Sequence, residues 1–186
     1  VAVYLALGCG KCEHCLSGNT VLCSEFRCIG FALDGAHADY LVVPQECCLP
    51  LPSEMDFVTG ALATDVAGTL YTACKRIGVD ASKTVSIFGI GPMGMGGVLI
   101  AKALGATVIV VDINEERLAL AERLGADYAI DSKETDAVAE IKRLTGGKGA
   151  DCTICCAGNN VTYNQSLDCA KKGGSVAFIA EAHGIT

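Results

Sequence analysis

No cluster of lysine or arginine occurs anywhere along the 186 residues, and 14 basic side chains are outnumbered by 21 acidic ones, for a net charge of −7. Binding nucleic acid needs a basic face that neutralises phosphates, so that class of partner is excluded. Apolar runs long enough to cross a bilayer are missing as well. The first nine residues are apolar but too few to span, and no positive segment precedes them, so neither a membrane span nor a signal peptide is read there. There is no low-complexity tract, no internal repeat and no initiator methionine. The chain opens at Val1 in strand-like sequence and stops at Thr186 just after another apolar run, as the middle of a longer protein does. At 51% hydrophobic and 19% charged, it has the composition of a folded globular chain, with length for one sizeable core or for one domain and part of another.

Cysteine is abundant, with twelve residues. They are scattered through alternating strand and helix patterns, as in a large core rather than a small stapled one, which points to a reducing, cytoplasmic setting with some thiols holding metal. Cys9, Cys12, Cys15 and Cys23 stand at C-x2-C-x2-C-x7-C in one loop, where Gly8, Gly10 and Gly18 permit tight reversals. Four thiols so spaced can converge on one tetrahedral zinc ion, filling it on all sides and leaving no open position for substrate. An iron–sulfur cluster uses a related spacing, but its last cysteine is usually followed by proline, and Ser24 follows here. Paired disulfides conflict with the reducing setting. His14 could replace one thiol, although four are already present and a solvent-facing side chain is the simpler reading. Cys47 and Cys48 lack a nearby thiol pair, and Cys152, Cys155 and Cys156 lie in a strand whose alternate side chains face opposite ways. Both groups read as small packing residues.

The apolar run Val85–Phe88 breaks into Gly89, Ile90, Gly91, Pro92, Met93 and Gly94 before helix-forming sequence resumes. This is the G-x-G-x-x-G spacing of a strand, a tight turn and a helix whose free N–H groups can hold a diphosphate. The next apolar run ends in Asp112, 21 positions after Gly91, close to the roughly 20 residues expected for a carboxylate that binds the adenosine ribose. Such a carboxylate repels a 2'-phosphate and favours NAD over NADP. Asp112 could instead cap a helix beginning at Asn114.

Upstream, Val1–Ala6 reads as a strand, and Gly30–Pro44 alternates as a β-segment around Asp34–Gly35. Ser53 opens a helix with Glu54 and Asp56 in its first turn, and a second helix covers Ala61–Ile77, with Leu62, Val66, Leu70 and Ala73 on one face and Gly78 as its stop. Asp65 falls inside that apolar region, where it either faces water or meets a cation. From Thr84 onward, strands are expected at 84–89, 107–112, 128–130, 152–157 and 175–180, and helices at about 92–104, 114–124, 134–145 and 160–171. The pattern marks an α/β fold, a doubly wound parallel sheet covered on both faces. Its sixth strand is expected beyond Thr186.

A thiol loop followed by an alternating β-segment and a G-I-G-P-M-G turn resembles the zinc-containing medium-chain alcohol dehydrogenase family, across essentially the whole chain. The resemblance implies a partial, β-rich, GroES-like catalytic domain over residues 1–75 and a Rossmann NAD-binding domain over 76–186. It implies a structural zinc on Cys9, Cys12, Cys15 and Cys23. In Asp65-Val66-Ala67-Gly68-Thr69, Asp65 matches a catalytic-zinc ligand and Thr69 a residue beside the nicotinamide. Asp112 and Arg117 match the adenosine-ribose contacts, and Ile179 and Ala180 the chain beside the carboxamide. The implied activity is NAD-dependent oxidation of an alcohol or polyol, with zinc as Lewis acid, in a homo-dimer or homo-tetramer. The first two catalytic ligands of the family, in G-x-C-x-[ST]-D and G-H-E motifs, are absent here, so a non-catalytic NAD- and zinc-binding fragment is the competing reading. A NADPH-dependent quinone reductase of the same superfamily is disfavoured by the lobe thiols.

Overall fold

Continuous apolar runs pair into one parallel sheet, and the shorter alternating ones upstream make only two-residue ladders. The computed structural model describes residues 1–181. Backbone contacts divide the chain into two units, Val1–Thr64 and Asp65–Thr186. The division comes ahead of residue 75 because Leu70 and Cys74, on the helix Gly68–Arg76, are fully buried in the core of the second unit.

In the first unit, β1 (Ala2–Val3) pairs antiparallel with β4 (Cys48–Leu49), and β2 (Ala6–Leu7) with β3 (Arg27–Cys28). Between them lie the short helix α1 (Glu13–Leu16) and two single 3-10 turns, Thr20–Leu22 and Gln45–Cys47. The β-segment expected around Asp34–Gly35 is reduced to one bridge between Ile29 and Leu33. Alternation makes a strand only where a neighbouring backbone supplies ladder partners, and among the described residues none lies beside 34–44. Phe31, Tyr40 and Val42 accordingly stand at least 88% exposed.

The helix expected from Ser53 begins instead at α2 (Phe57–Leu62), because the Asp56 carboxylate caps it, accepting the Thr59 N–H at 2.8 Å. The Ser53 hydroxyl bonds Glu54 instead. The helix expected from Ala61 is interrupted by a π-helical stretch, Ala63–Ala67, before α3 (Gly68–Arg76) resumes. Gly78, at φ 75°, ends it as expected.

The second unit holds β5 (Thr84–Phe88), α4 (Pro92–Ala103), β6 (Thr107–Asp112), α5 (Glu115–Arg123), β7 (Tyr128–Asp131), α6 (Ala137–Leu144), β8 (Ala150–Cys155), α7 (Asn160–Asp168) and β9 (Ala170–Phe178). The strands run parallel in the order β7-β6-β5-β8-β9. Alternate residues feed two cores. Val85, Ile87, Val108, Val110 and Ile154 meet Leu70, Val98, Ala101 and Ala121 on one face. Phe88, Ile109, Val111 and Cys155 meet Ala137, Ile141 and Tyr163 on the other. The expected parallel α/β sheet, covered on both sides, is therefore present. After β7 the chain crosses to the far side of β5, so the carboxyl ends of β5 and β8 flank the crevice where ligands of such sheets bind.

Candidate functional site

The crevice is shaped by three glycines that behave differently. Gly89 turns the chain at φ 82°, a conformation that costs other residues, and a Cβ there would come within 2.7 Å of the Ala157 Cβ. A Cβ on Gly94 would overlap the Gly89 carbonyl oxygen. Both are needed by the fold itself. Gly91 is not: its backbone, at φ −76° and ψ −166°, suits any residue, and a Cβ there would meet nothing within 4 Å. Pro92 then opens α4, where its missing N–H is no loss. The protein leaves a space at Gly91 that it does not fill, at a helix N-terminus where N–H groups and the helix dipole favour an anion. A diphosphate fits that cradle.

Asp112 is only 7% exposed, and its carboxylate ties two turns together. One oxygen accepts the Ile90 N–H at 2.5 Å, and the other accepts those of Ile113 and Asn114 at 2.7 and 2.9 Å. The cap of α5 is Asn114, which accepts the Arg117 N–H at 3.0 Å, so Asp112 stays at the sheet edge beside the glycine turn. Arg117 itself is exposed in the first turn of α5. Past the end of β9, the N–H groups of Ile179 and Ala180 both point to the Cys155 carbonyl, at 2.9 and 3.3 Å. Gly89 to Gly94, Asp112, Ile179 and Ala180 are thus gathered at the carboxyl edge of one sheet.

Asp65 and Thr69 lie on the π stretch and the first turn of α3, both exposed, with the Thr69 hydroxyl donating to Asp65 at 3.2 Å. Of the two sequence readings, Asp65 faces water. No other His, Cys, Asp or Glu joins it in a metal-binding group among the described residues, so these residues alone do not fit a catalytic metal.

The thiol loop does converge. The sulfurs of Cys9, Cys12, Cys15 and Cys23 lie within 4.8 Å of one another; tetrahedral Zn–S bonds of ~2.3 Å put sulfurs about 3.8 Å apart. Backbone donors point at them: Cys9 N–H and Glu25 N–H at Cys23, and Cys15 N–H at Cys12, over 3.3–3.5 Å. The N–H groups of Lys11 and Cys12 hold the Cys9 thiol down at about 7, while burial pushes Cys15 up to about 11. Four crowded sulfurs do not all ionise unless a cation shares their charge, and a closed zinc site supplies that cation. A Cβ on Gly8 would come within 2.6 Å of the Cys15 sulfur, which fixes that glycine. His14 is not among the converging groups.

Two features escaped the spacing argument. The bond from Ile90 to Asp112 joins groups 22 residues apart, and the Tyr163 hydroxyl donates to the Ala180 carbonyl. The sequence signal for the second was a single aromatic in a mostly polar helix.

Comparison with known proteins separates the same two parts. The family model for the alcohol dehydrogenase GroES-like domain matches residues 1–53, and that for zinc-binding dehydrogenases matches 92–185. An alcohol dehydrogenase of Geobacillus stearothermophilus is 32% identical over 95% of this chain and 52% of its own length. A NAD-dependent alcohol dehydrogenase of Sulfurisphaera tokodaii is 42% identical over 83% of this chain and 45% of its own. The solved galactitol-1-phosphate dehydrogenase of Escherichia coli superposes with a TM-score of 0.88 at 29% identity, over 97% of this chain and 52% of its own. The chain spans about half the length of the relatives it matches. With a thiol lobe ahead of a glycine-turn sheet, and each part matched by its own family model, the chain belongs to the zinc-containing medium-chain alcohol dehydrogenases.

Proposed function

We propose that this chain carries the NAD site and the structural zinc of a dehydrogenase that passes a hydride from an alcohol or polyol to NAD. The observation that carries the reading is the vacant space at Gly91, where neither backbone angle nor packing asks for glycine. A diphosphate asks for it. The first turn of α4 holds the phosphates, and Asp112 takes the adenosine ribose with Arg117 alongside. Its negative charge turns away a 2'-phosphate, which favours NAD. Ile179 and Ala180 border the carboxamide, and Thr69 the ring. Bound there, the nicotinamide supplies hydride acceptance, while the protein supplies orientation and charge. Cys9, Cys12, Cys15 and Cys23 hold zinc that keeps the lobe folded. Twelve free thiols among the described residues support a reducing, cytoplasmic setting, and no helix there is long and apolar enough to cross a membrane. Two or four copies assemble in this reading.

Asp65 is assigned as one ligand of a catalytic metal by the resemblance alone. Its lack of companion ligands among the described residues favours a second reading, in which the 186-residue chain binds NAD and zinc without turning over substrate. NADH formation from primary, secondary and polyhydric alcohols separates the two, measured on this chain and on the product of its whole gene. Turnover by the zinc-loaded whole product supports the first reading, and its absence refutes it. NAD binding without turnover by this chain supports the second.

A further inference from the structure

The turns after β8 and β9 are tied together from several sides. Cys155 C=O accepts both the Ile179 and Ala180 N–H groups. The Thr162 hydroxyl donates to the Ala157 carbonyl at 2.8 Å. Tyr163 on α7, only 9% exposed, donates its hydroxyl to the Ala180 carbonyl. Its ring stacks on Phe178, centroids 4.5 Å apart and planes within 3°. From the other side, Gly158 lies so close that a Cβ there would stand 2.5 Å from the Glu181 carbonyl oxygen.

We propose that Tyr163 is a positioning residue for the nicotinamide end of the dinucleotide, fixing the peptide between Ala180 and Glu181 so that it can meet the ring's carboxamide. This rests on the NAD reading above. A trans peptide is planar, so its N–H points opposite its C=O. With the Ala180 carbonyl held by Tyr163, the Glu181 N–H is turned the other way, away from α7. The N–H groups of Ile179 and Ala180 are already committed to Cys155, so the orientation of the next peptide decides which backbone donor remains for a ligand. A carboxamide carries an acceptor oxygen and two N–H donors, so it is recognised by single backbone groups at fixed angles. A phosphate would ask instead for a cation or a helix end. The tyrosine divides its roles: the ring packs on Phe178 and the hydroxyl sets the peptide. Tyr163→Phe therefore removes the second and keeps the first.

The test titrates NAD, and ADP-ribose, which lacks the nicotinamide, into the whole chain and its Tyr163→Phe variant by calorimetry. NAD affinity falls about three- to tenfold, the net worth of one hydrogen bond, and ADP-ribose affinity stays within about twofold. Gly158→Ala, which presses on the neighbouring carbonyl, gives the same NAD-selective loss. Equal losses for the two ligands, or no loss in either variant, overturn the assignment while leaving the dinucleotide site standing. A wild-type chain that binds neither ligand overturns the dinucleotide reading and this inference with it.

Discussion

Two glycines three residues apart do different work, and substituting each by alanine separates them. Gly94→Ala drives a methyl into the Gly89 carbonyl and lowers stability by about 1–3 kcal/mol, the usual cost of overpacking, read as a fall in melting temperature. Gly91→Ala meets nothing, so its stability stays within about 0.5 kcal/mol of wild type. Asp112 has a double task in the proposed reading, since it holds the Ile90 N–H and would also take the adenosine ribose. Asp112→Ala therefore weakens NAD about tenfold and NADP less, as expected from losing a charge-assisted hydrogen bond. It also speeds hydrogen exchange at Ile90; an unchanged NAD/NADP ratio would remove Asp112 from the ribose. The spacing of Gly89, Gly91, Gly94 and Asp112 was legible in the sequence because local turn chemistry dictates it. The partner of the Asp112 carboxylate was not, because only sheet pairing brings β5 and β6 side by side.

Among the elements, the central strands β5, β6 and β8 were legible because burial on both faces demands continuous apolar runs. By contrast, β9 begins at Ala170, ahead of the expected 175, because its first residues are largely polar and at most partly buried at the sheet edge. Helix starts depended on competing caps: Asp56 won over Ser53, and Asp136 accepts the N–H groups of Val138 and Ala139, so α6 begins three residues later than the expected 134. The π stretch at Ala63–Ala67 was hidden, since apolar residues there still recur at helical spacing. It lies against α4, where a Cβ on Gly96 would come within 2.5 Å of Val66. At the amino end of the sheet, Asp151 accepts the Thr84 N–H and pairs with Lys171. Burial pushes its carboxyl up, but these partners outweigh burial and hold it below its ordinary value. A depressed carboxylate stabilises the fold above its unfolded pKa, and that contribution is lost as pH falls through the folded one. Asp151→Asn is thus expected to destabilise by about 1 kcal/mol at pH 7, allowing for partial exposure of the pair, with the gap from wild type closing below about pH 4. Denaturation at several pH values checks it. For the thiol lobe, Cys12→Ser removes one equivalent of zinc by elemental analysis, and unchanged metal content would contradict the four-sulfur site.

At the scale of the whole molecule, the chain is two units with different sources of order. The second has a two-faced apolar core. The first buries few residues, among them Ala6, Leu7, Cys23 and Cys47, so its order leans on the thiol site. Chelation is therefore expected to speed proteolysis within residues 1–64 while NAD affinity stays within about twofold, because metal-linked stability is confined to the unit that binds the metal. The compact units divide between Thr64 and Asp65, ahead of the expected boundary near residue 75, because a helical period does not reveal which core a helix serves.

The most direct measurement is calorimetric titration of NAD into the wild-type chain and its Gly91→Ala variant, each checked for an unaltered melting temperature. The diphosphate account predicts one site per wild-type chain and at least about tenfold weaker binding in the variant, as a methyl enters the phosphate's space. Equal affinities in two equally stable proteins, or no heat with the wild type, would contradict it.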